Sequence, residues 1–137
     1  MGIDPVKYLL DTHIWIWWHA NPKKLSTRVR NIIIDPRRYD ELLLSAISPW
    51  EFFKLLEKER LAISCDPLQW VNQALDMSGL RLVPLTPRIA WKSTVLPQPF
   101  HTDPADQIIA ATSREENAVV LTQDKRLLSY KHIKTIG

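Results

Sequence analysis

The segment His101-Thr102-Asp103-Pro104-Ala105-Asp106-Gln107-Ile108-Ile109-Ala110-Ala111-Thr112 carries a complete helix start. Asp103 caps, and Pro104 stands at the first helical position, where its fixed φ is pre-organised and its missing N–H costs nothing. Ala105, Ile108, Ile109 and Thr112 then recur at helical spacing and make one stripe to bury. Asp106 follows Asp103 by three residues, so both carboxylates lie on one side of the first turn. By itself this is an acidic first turn suited to the helix dipole. The rest of the chain gives it a further meaning, because other lone acids stand where strands end.

Working back toward the N-terminus, Tyr8-Leu9-Leu10 is a short buried strand ending at Asp11, with a helix opening directly off it through Ala20. Asn21-Pro22 breaks that helix, Ser26 caps a second, and Asp35-Pro36 ends it. Glu41 to Ala46 reads as a second strand. Ser48-Pro49-Trp50-Glu51 has the spacing of a capping box. Glu51 then either bonds back to its cap or faces the strand-end crevice, and both readings stay open. Asp66-Pro67 opens a helix that Gly79 closes, Leu80 to Leu85 is a third strand, and Thr86-Pro87 opens a helix to about Val95. Pro97-Gln98-Pro99 leads into the segment quoted first. Beyond it, Ala118 to Leu121 is a fourth strand ending at Thr122-Gln123-Asp124, and His132 to Ile136 a short fifth.

Strands alternating with helices predict a single α/β domain, with a mostly parallel central sheet flanked by helices on both faces. The expected domain spans 7–137, with residues 1–6 a leader. In such sheets ligands bind beyond the carboxyl ends of the strands. Asp11 and Asp124 end strands, while Glu51 and Asp106 open helices next to that rim, so four separately placed acids converge on one crevice.

Composition narrows the chemistry. Cys65 is the lone cysteine, and His13, His19, His101 and His132 have no metal-ligand spacing, so zinc is disfavoured. Three glycines are too few for a phosphate-cradling loop. The longest apolar run, Ile14 to Trp18, cannot span a bilayer, which predicts a cytoplasmic protein without membrane contact. If Asp11, Glu51, Asp103, Asp106 and Asp124 share a pocket, the other ten acids face 18 basic residues. A basic body around an acidic hole suits a polyanion that meets metal ions. Oxygen-only ligands select Mg²⁺ or Mn²⁺, and such ions activate water against a phosphodiester. A phosphoaspartyl role for Asp11 is weaker, because His13 stands where a second aspartate would be needed.

Four pieces, in order, carry a resemblance: Leu9-Leu10-Asp11-Thr12-His13, Ser45-Ala46-Ile47-Ser48-Pro49-Trp50-Glu51, His101 to Ala111, and Leu121-Thr122-Gln123-Asp124. Together they resemble the PIN domain, and within it the VapC-type toxins of toxin–antitoxin pairs. The resemblance implies a Mg²⁺-dependent endoribonuclease, with Mn²⁺ able to substitute. It implies a tRNA or rRNA substrate, an antitoxin partner and a homodimer. Asp11, Glu51, Asp106 and Asp124 would be the acidic quartet that holds the ion, with Asp103 the extra acid of an H-x-D-P-x-D variety. Asp106 is favoured over Asp103 as the direct ligand because it heads the D-x-x-I-A-A pattern. Gln107 departs from the arginine of many relatives. A housekeeping PIN nuclease of RNA processing or DNA repair, and a silent binding module, are the alternatives.

Among the remaining residues, Trp15, Trp50, Trp70 and Trp91 read as core, while adjacent Trp17 and Trp18 cannot both be. Lys23, Lys24, Arg28, Arg30, Arg37 and Arg38 form a basic patch that reads as a solvated helix face. Thr12 and Thr122 are positioned to orient a ligand, or are ordinary strand-end residues. His101 reads as an incidental loop histidine.

Overall fold

A computed structural model describes residues 6–137, apart from the side chains of residues 77 and 78. The expected leader lies outside the described residues except for Val6, whose N–H and carbonyl both bond Asp40, at 2.6 and 2.8 Å.

Five strands form one sheet: β1 (Lys7–Leu10), β2 (Glu41–Ser45), β3 (Arg81–Val83), β4 (Val119–Leu121) and β5 (Thr135–Ile136). Their order is β3-β2-β1-β4-β5 and every pairing is parallel. The helices are α1 (Thr12–Ala20), α2 (Thr27–Ile33), α3 (Ile47–Glu57), α4 (Pro67–Ser78), α5 (Pro87–Thr94), α6 (Pro104–Glu116) and α7 (Lys125–Leu128). Short 3-10 turns occupy Pro22–Lys24 and Pro36–Arg38.

Side chains alternate across a strand, and here the alternation divides the core in two. Leu10, Leu42, Leu44 and Leu121 face one side, against Trp15 of α1, Val29 of α2, Phe52 of α3 and Val71 of α4. Leu9, Leu43, Val83 and Val120 face the other, against Ile89 of α5 and Ile109, Ala110 and Ala111 of α6. Runs buried on both faces are what parallel strands require. The chain moves from β1 outward to β2 and β3, then returns to place β4 on the other side of β1. That reversal opens a crevice at the carboxyl ends of β1 and β4.

The caps at Ser26, Asp66, Thr86 and Asp103 form as their sequences predict, each side chain accepting a first-turn backbone N–H. Gly79 closes α4 at φ +62°, the left-handed conformation glycine adopts at no cost. The capping box does not form. The start of α3 lies at Ile47, so Ser48 is inside the helix and buried rather than at its cap. Its hydroxyl turns inward to Thr12, at 2.8 Å, and Pro49 falls within the first turn, where no N–H is needed. The third and fifth strands are shorter than expected, and α7 stands where the sequence predicts only a strand end.

The aromatic expectation also divides. Trp15 is fully buried, and Trp70 stacks on Phe52 with centroids 4.3 Å apart. Trp50 and Trp91 are not core: they are 51% and 56% exposed, each beneath a lysine, Lys54 and Lys92. Among the described residues no helix is long and apolar enough to cross a membrane.

Candidate acidic centre at the strand ends

Asp11 follows β1 directly and caps α1. Its Oδ1 accepts from the Thr12 N–H at 2.7 Å, and its Oδ2 from the Thr122 hydroxyl at 2.8 Å. The Thr122 hydroxyl in turn accepts the Asp124 N–H at 3.0 Å, coupling the end of β4 to the end of β1. The Thr12 hydroxyl donates to Glu51 Oε1, and since it has one proton, Ser48 donates to it. Both threonines therefore orient acids.

Asp106, in the first turn of α6, is buried and accepts from His101 Nε2 at 2.6 Å. Asp103 spends Oδ1 on capping the Asp106 N–H at 2.9 Å. Asp124 caps α7, accepting the Arg126 N–H at 2.7 Å. The Arg126 guanidinium lies 3.4 Å from Asp124 Oδ2 and 3.6 Å from Asp106 Oδ2, spanning the two acids. A cavity of about 230 Å³ beside them is lined by Asp11, His13, Trp17, Gln123 and Asp124.

The electrostatics show which acids meet. Burial pushes Asp11 up to about 6; the Thr122 hydroxyl opposes this, and the charge of Asp106 adds to it. Burial likewise pushes Glu51 up to about 7, against the Thr12 hydrogen bond and with the charges of Asp11, Asp106 and Asp103. Asp106 is raised by burial, lowered by the His101 hydrogen bond, and raised again by Asp103 and Asp124. Burial pushes Asp124 up too, but hydrogen bonds from Arg126 outweigh it and hold that carboxyl below its ordinary value. Asp106 thus lies in the field of Asp103 and Asp124 and acts in turn on Asp11 and Glu51, which links acids from four separate parts of the chain.

The donors are all hard oxygens; Asp11 and Asp106 are buried and Glu51, Asp103 and Asp124 half-buried, and a hard divalent cation would relieve the repulsion among them. Among the described residues, no three His, Cys, Asp or Glu side chains are drawn together closely enough to hold an ion as they stand. The carboxylates are held instead by Thr12, Thr122, His101 and Arg126. Two of these partners escape sequence reasoning. His101 reads as incidental there, although its place five residues before Asp106 is a usable signal. Arg126 carries no signal at all, since its approach to Asp106 depends on α7.

Similarity to known proteins is extensive. The PIN domain matches residues 8–133. Ribonuclease VapC22 of Mycobacterium tuberculosis is 37% identical over 128 residues, 93% of this chain and 95% of that protein. VapBC2 of Rickettsia felis, solved bound to a DNA fragment from its promoter, aligns with TM-score 0.69 and 18% identity, over 96% of this chain and 98% of that one. A toxin–antitoxin complex from Klebsiella pneumoniae aligns with TM-score 0.66 and 18% identity, over 95% and 96%.

Proposed function

The chain belongs to the PIN-domain family, grouping with its VapC-type toxin ribonucleases, and on that premise we propose that it is a Mg²⁺-dependent endoribonuclease. Its role is the toxin half of a toxin–antitoxin pair, and Mn²⁺ can replace Mg²⁺. The carrying observation is that one chain of contacts links four acids where strand order reverses: Thr12 joins Asp11 to Glu51, Thr122 joins Asp11 to Asp124, and Arg126 joins Asp124 to Asp106.

Asp11, Glu51, Asp106 and Asp124 would hold the ion, with Asp103 adding negative field from the cap of α6. The commitment of Asp103 to the Asp106 N–H favours Asp106 as the direct ligand. A divalent ion at such a site would lower the pKa of water and stabilise the charge that develops on the attacking and leaving oxygens of a phosphodiester. The chain's own groups prepare for this. Thr122 and the Thr12 N–H fix the two oxygens of Asp11, the Thr12 hydroxyl aims Glu51, and His101 fixes Asp106. Arg126 provides positive charge against Asp106 and Asp124, charge that binding of a cation would release toward a phosphate.

The substrate we propose is cellular RNA, tRNA or rRNA, cut in the cytoplasm. An antitoxin holds the enzyme inactive, and the active form is a homodimer. Support for the partner comes from the toxin–antitoxin complex of Klebsiella pneumoniae, which shares the fold. The test is incubation of total RNA with purified protein in Mg²⁺ and in EDTA, beside Asp106→Asn. Discrete fragments that need Mg²⁺ and vanish in the variant are expected. Intact RNA in every lane, from protein shown by mass to carry no antitoxin, would return the chain to a silent binding module.

A further inference from the structure

A second, larger cavity adjoins the acidic centre, and none of the acids lines it. It measures about 680 Å³, within the range of ligand sites, and Phe100, His101, Arg126, Tyr130, Lys131 and His132 form its working wall. Phe100 stacks on His101 at 4.4 Å and meets Tyr130 edge-on at 4.7 Å, and Tyr130 meets His132 at 5.4 Å. The rings are fixed in place. The Tyr130 hydroxyl donates to the Pro97 carbonyl at 2.7 Å, and the Gln98 amide ties both the Leu96 carbonyl and the Phe100 N–H. Two members of the wall, His101 and Arg126, are the groups that touch Asp106. The aromatic cavity and the acidic centre therefore share a border.

Lys131 and His132 also line a third cavity of about 450 Å³, together with Arg114 and Lys134. Neither lining contains an acid. Arg114 is braced there by donating to the His132 carbonyl at 2.6 Å. The order across the surface is thus acids, then rings edged by cations, then a basic recess around Arg114, Lys131 and Lys134.

We propose that the aromatic cavity seats one unpaired RNA base next to the scissile phosphate, and that Arg114, Lys131 and Lys134 carry the sugar-phosphate chain leading from it. Stacking rings beside a basic groove are the general means of binding single-stranded nucleic acid, and every base offers a face to stack. A peptide side chain would use the rings but leave the unopposed cations without partners. The assignment rests on the RNA-cleaving reading for its direction, since the scissile phosphate lies at the acids.

The test is amide NMR of the full chain in EDTA, titrated with AMP, UMP, ribose 5-phosphate or N-acetyltryptophanamide. AMP and UMP are expected to shift the amides of Phe100, His101 and residues 129–132. Ribose 5-phosphate is expected to bind at least about five-fold more weakly, for want of one stacked base. In parallel, Lys131→Ala with Lys134→Ala removes two exposed cations that make no ion pair among the described residues. It is expected to reduce the salt dependence of single-stranded RNA binding by a slope of about 1.4, at roughly 0.7 for each phosphate no longer neutralised. Nucleotides that shift nothing here, a sugar phosphate that binds equally well, or an unchanged slope would overturn the proposal. Equal filling by the tryptophan amide would assign the cavity to peptide and overturn it too. Cleavage in Mg²⁺ is scored separately. Cleavage without these shifts removes the base seat and keeps the nuclease, whereas shifts without cleavage do the reverse.

Discussion

Replacing Asp11 by Asn should stabilise the metal-free protein at alkaline pH. Asp11 is buried, and burial raises its carboxyl from 3.8 to about 6. A carboxyl raised in the folded state binds more protons folded than unfolded across that window. Stability in EDTA therefore falls as pH rises from about 4 to about 6, and stays low above it. At 1.36 kcal/mol per pKa unit the charge costs about 3 kcal/mol at pH 8. Asparagine removes that cost but gives up the hydrogen bond donated by Thr122, worth about 1 kcal/mol. The net gain of about 2 kcal/mol corresponds to a rise in Tm of about 8 °C for a chain of this size. At pH 4.5 Asp11 in the folded wild type is already mostly protonated. The charge cost there is about 1 kcal/mol, equal to the value of the missing hydrogen bond, so the two proteins should melt together. Circular dichroism melts at pH 4.5 and pH 8, in EDTA and in Mg²⁺, provide the test. In Mg²⁺ the wild type should gain stability at pH 8 and the variant should not. An Asp11→Asn protein that melts below wild type at pH 8 in EDTA would refute the claim that Asp11 is a buried charge awaiting a cation.

Thr12→Val leaves both Ser48 and Glu51 without their shared partner, so it should cost about 1–3 kcal/mol in urea unfolding. It should also move Glu51 above its value of about 7, carrying the acid limb of any Mg²⁺-dependent activity to higher pH, which a pH–rate profile reads directly. Arg126→Ala removes a fixed cation from between Asp106 and Asp124. Mn²⁺ titration followed by electron paramagnetic resonance should show tighter binding than wild type. Weaker binding would mean that Arg126 organises the acids rather than competing with the ion.

The local part of this architecture is legible in the sequence because local geometry determines it. An Asp or Thr followed by Pro sets its own cap, so the starts of α4, α5 and α6 fall where Asp66, Thr86 and Asp103 stand. Continuous leucine runs identify β1 and β2, which are buried on both faces. The placing of Asp11 and Asp124 follows from where strands end, and the structure brings both to the reversal between β1 and β4. What escapes depends on partners far along the chain. Ser48 matches a cap by spacing, but Thr12, 36 residues earlier, draws it inward and moves the helix start to Ile47. At four residues, α7 is too short to show a period, so neither it nor Arg126 can be foreseen. Trp50 and Trp91 are large and apolar, yet each falls on the outer face of its helix beneath a lysine. Tryptophan content alone does not say which way a ring points.

In the proposed function these acids hold an ion that activates water against an RNA phosphodiester. This is tested most directly by cleaving RNA in H₂¹⁸O and weighing the new ends by mass spectrometry. Fragments are expected only when Mg²⁺ is present, each cut leaving one ¹⁸O on a linear terminal phosphate and an unlabelled hydroxyl on the opposite end. Cleavage that persists in EDTA, or that leaves 2′,3′-cyclic phosphates free of ¹⁸O, would contradict this reading.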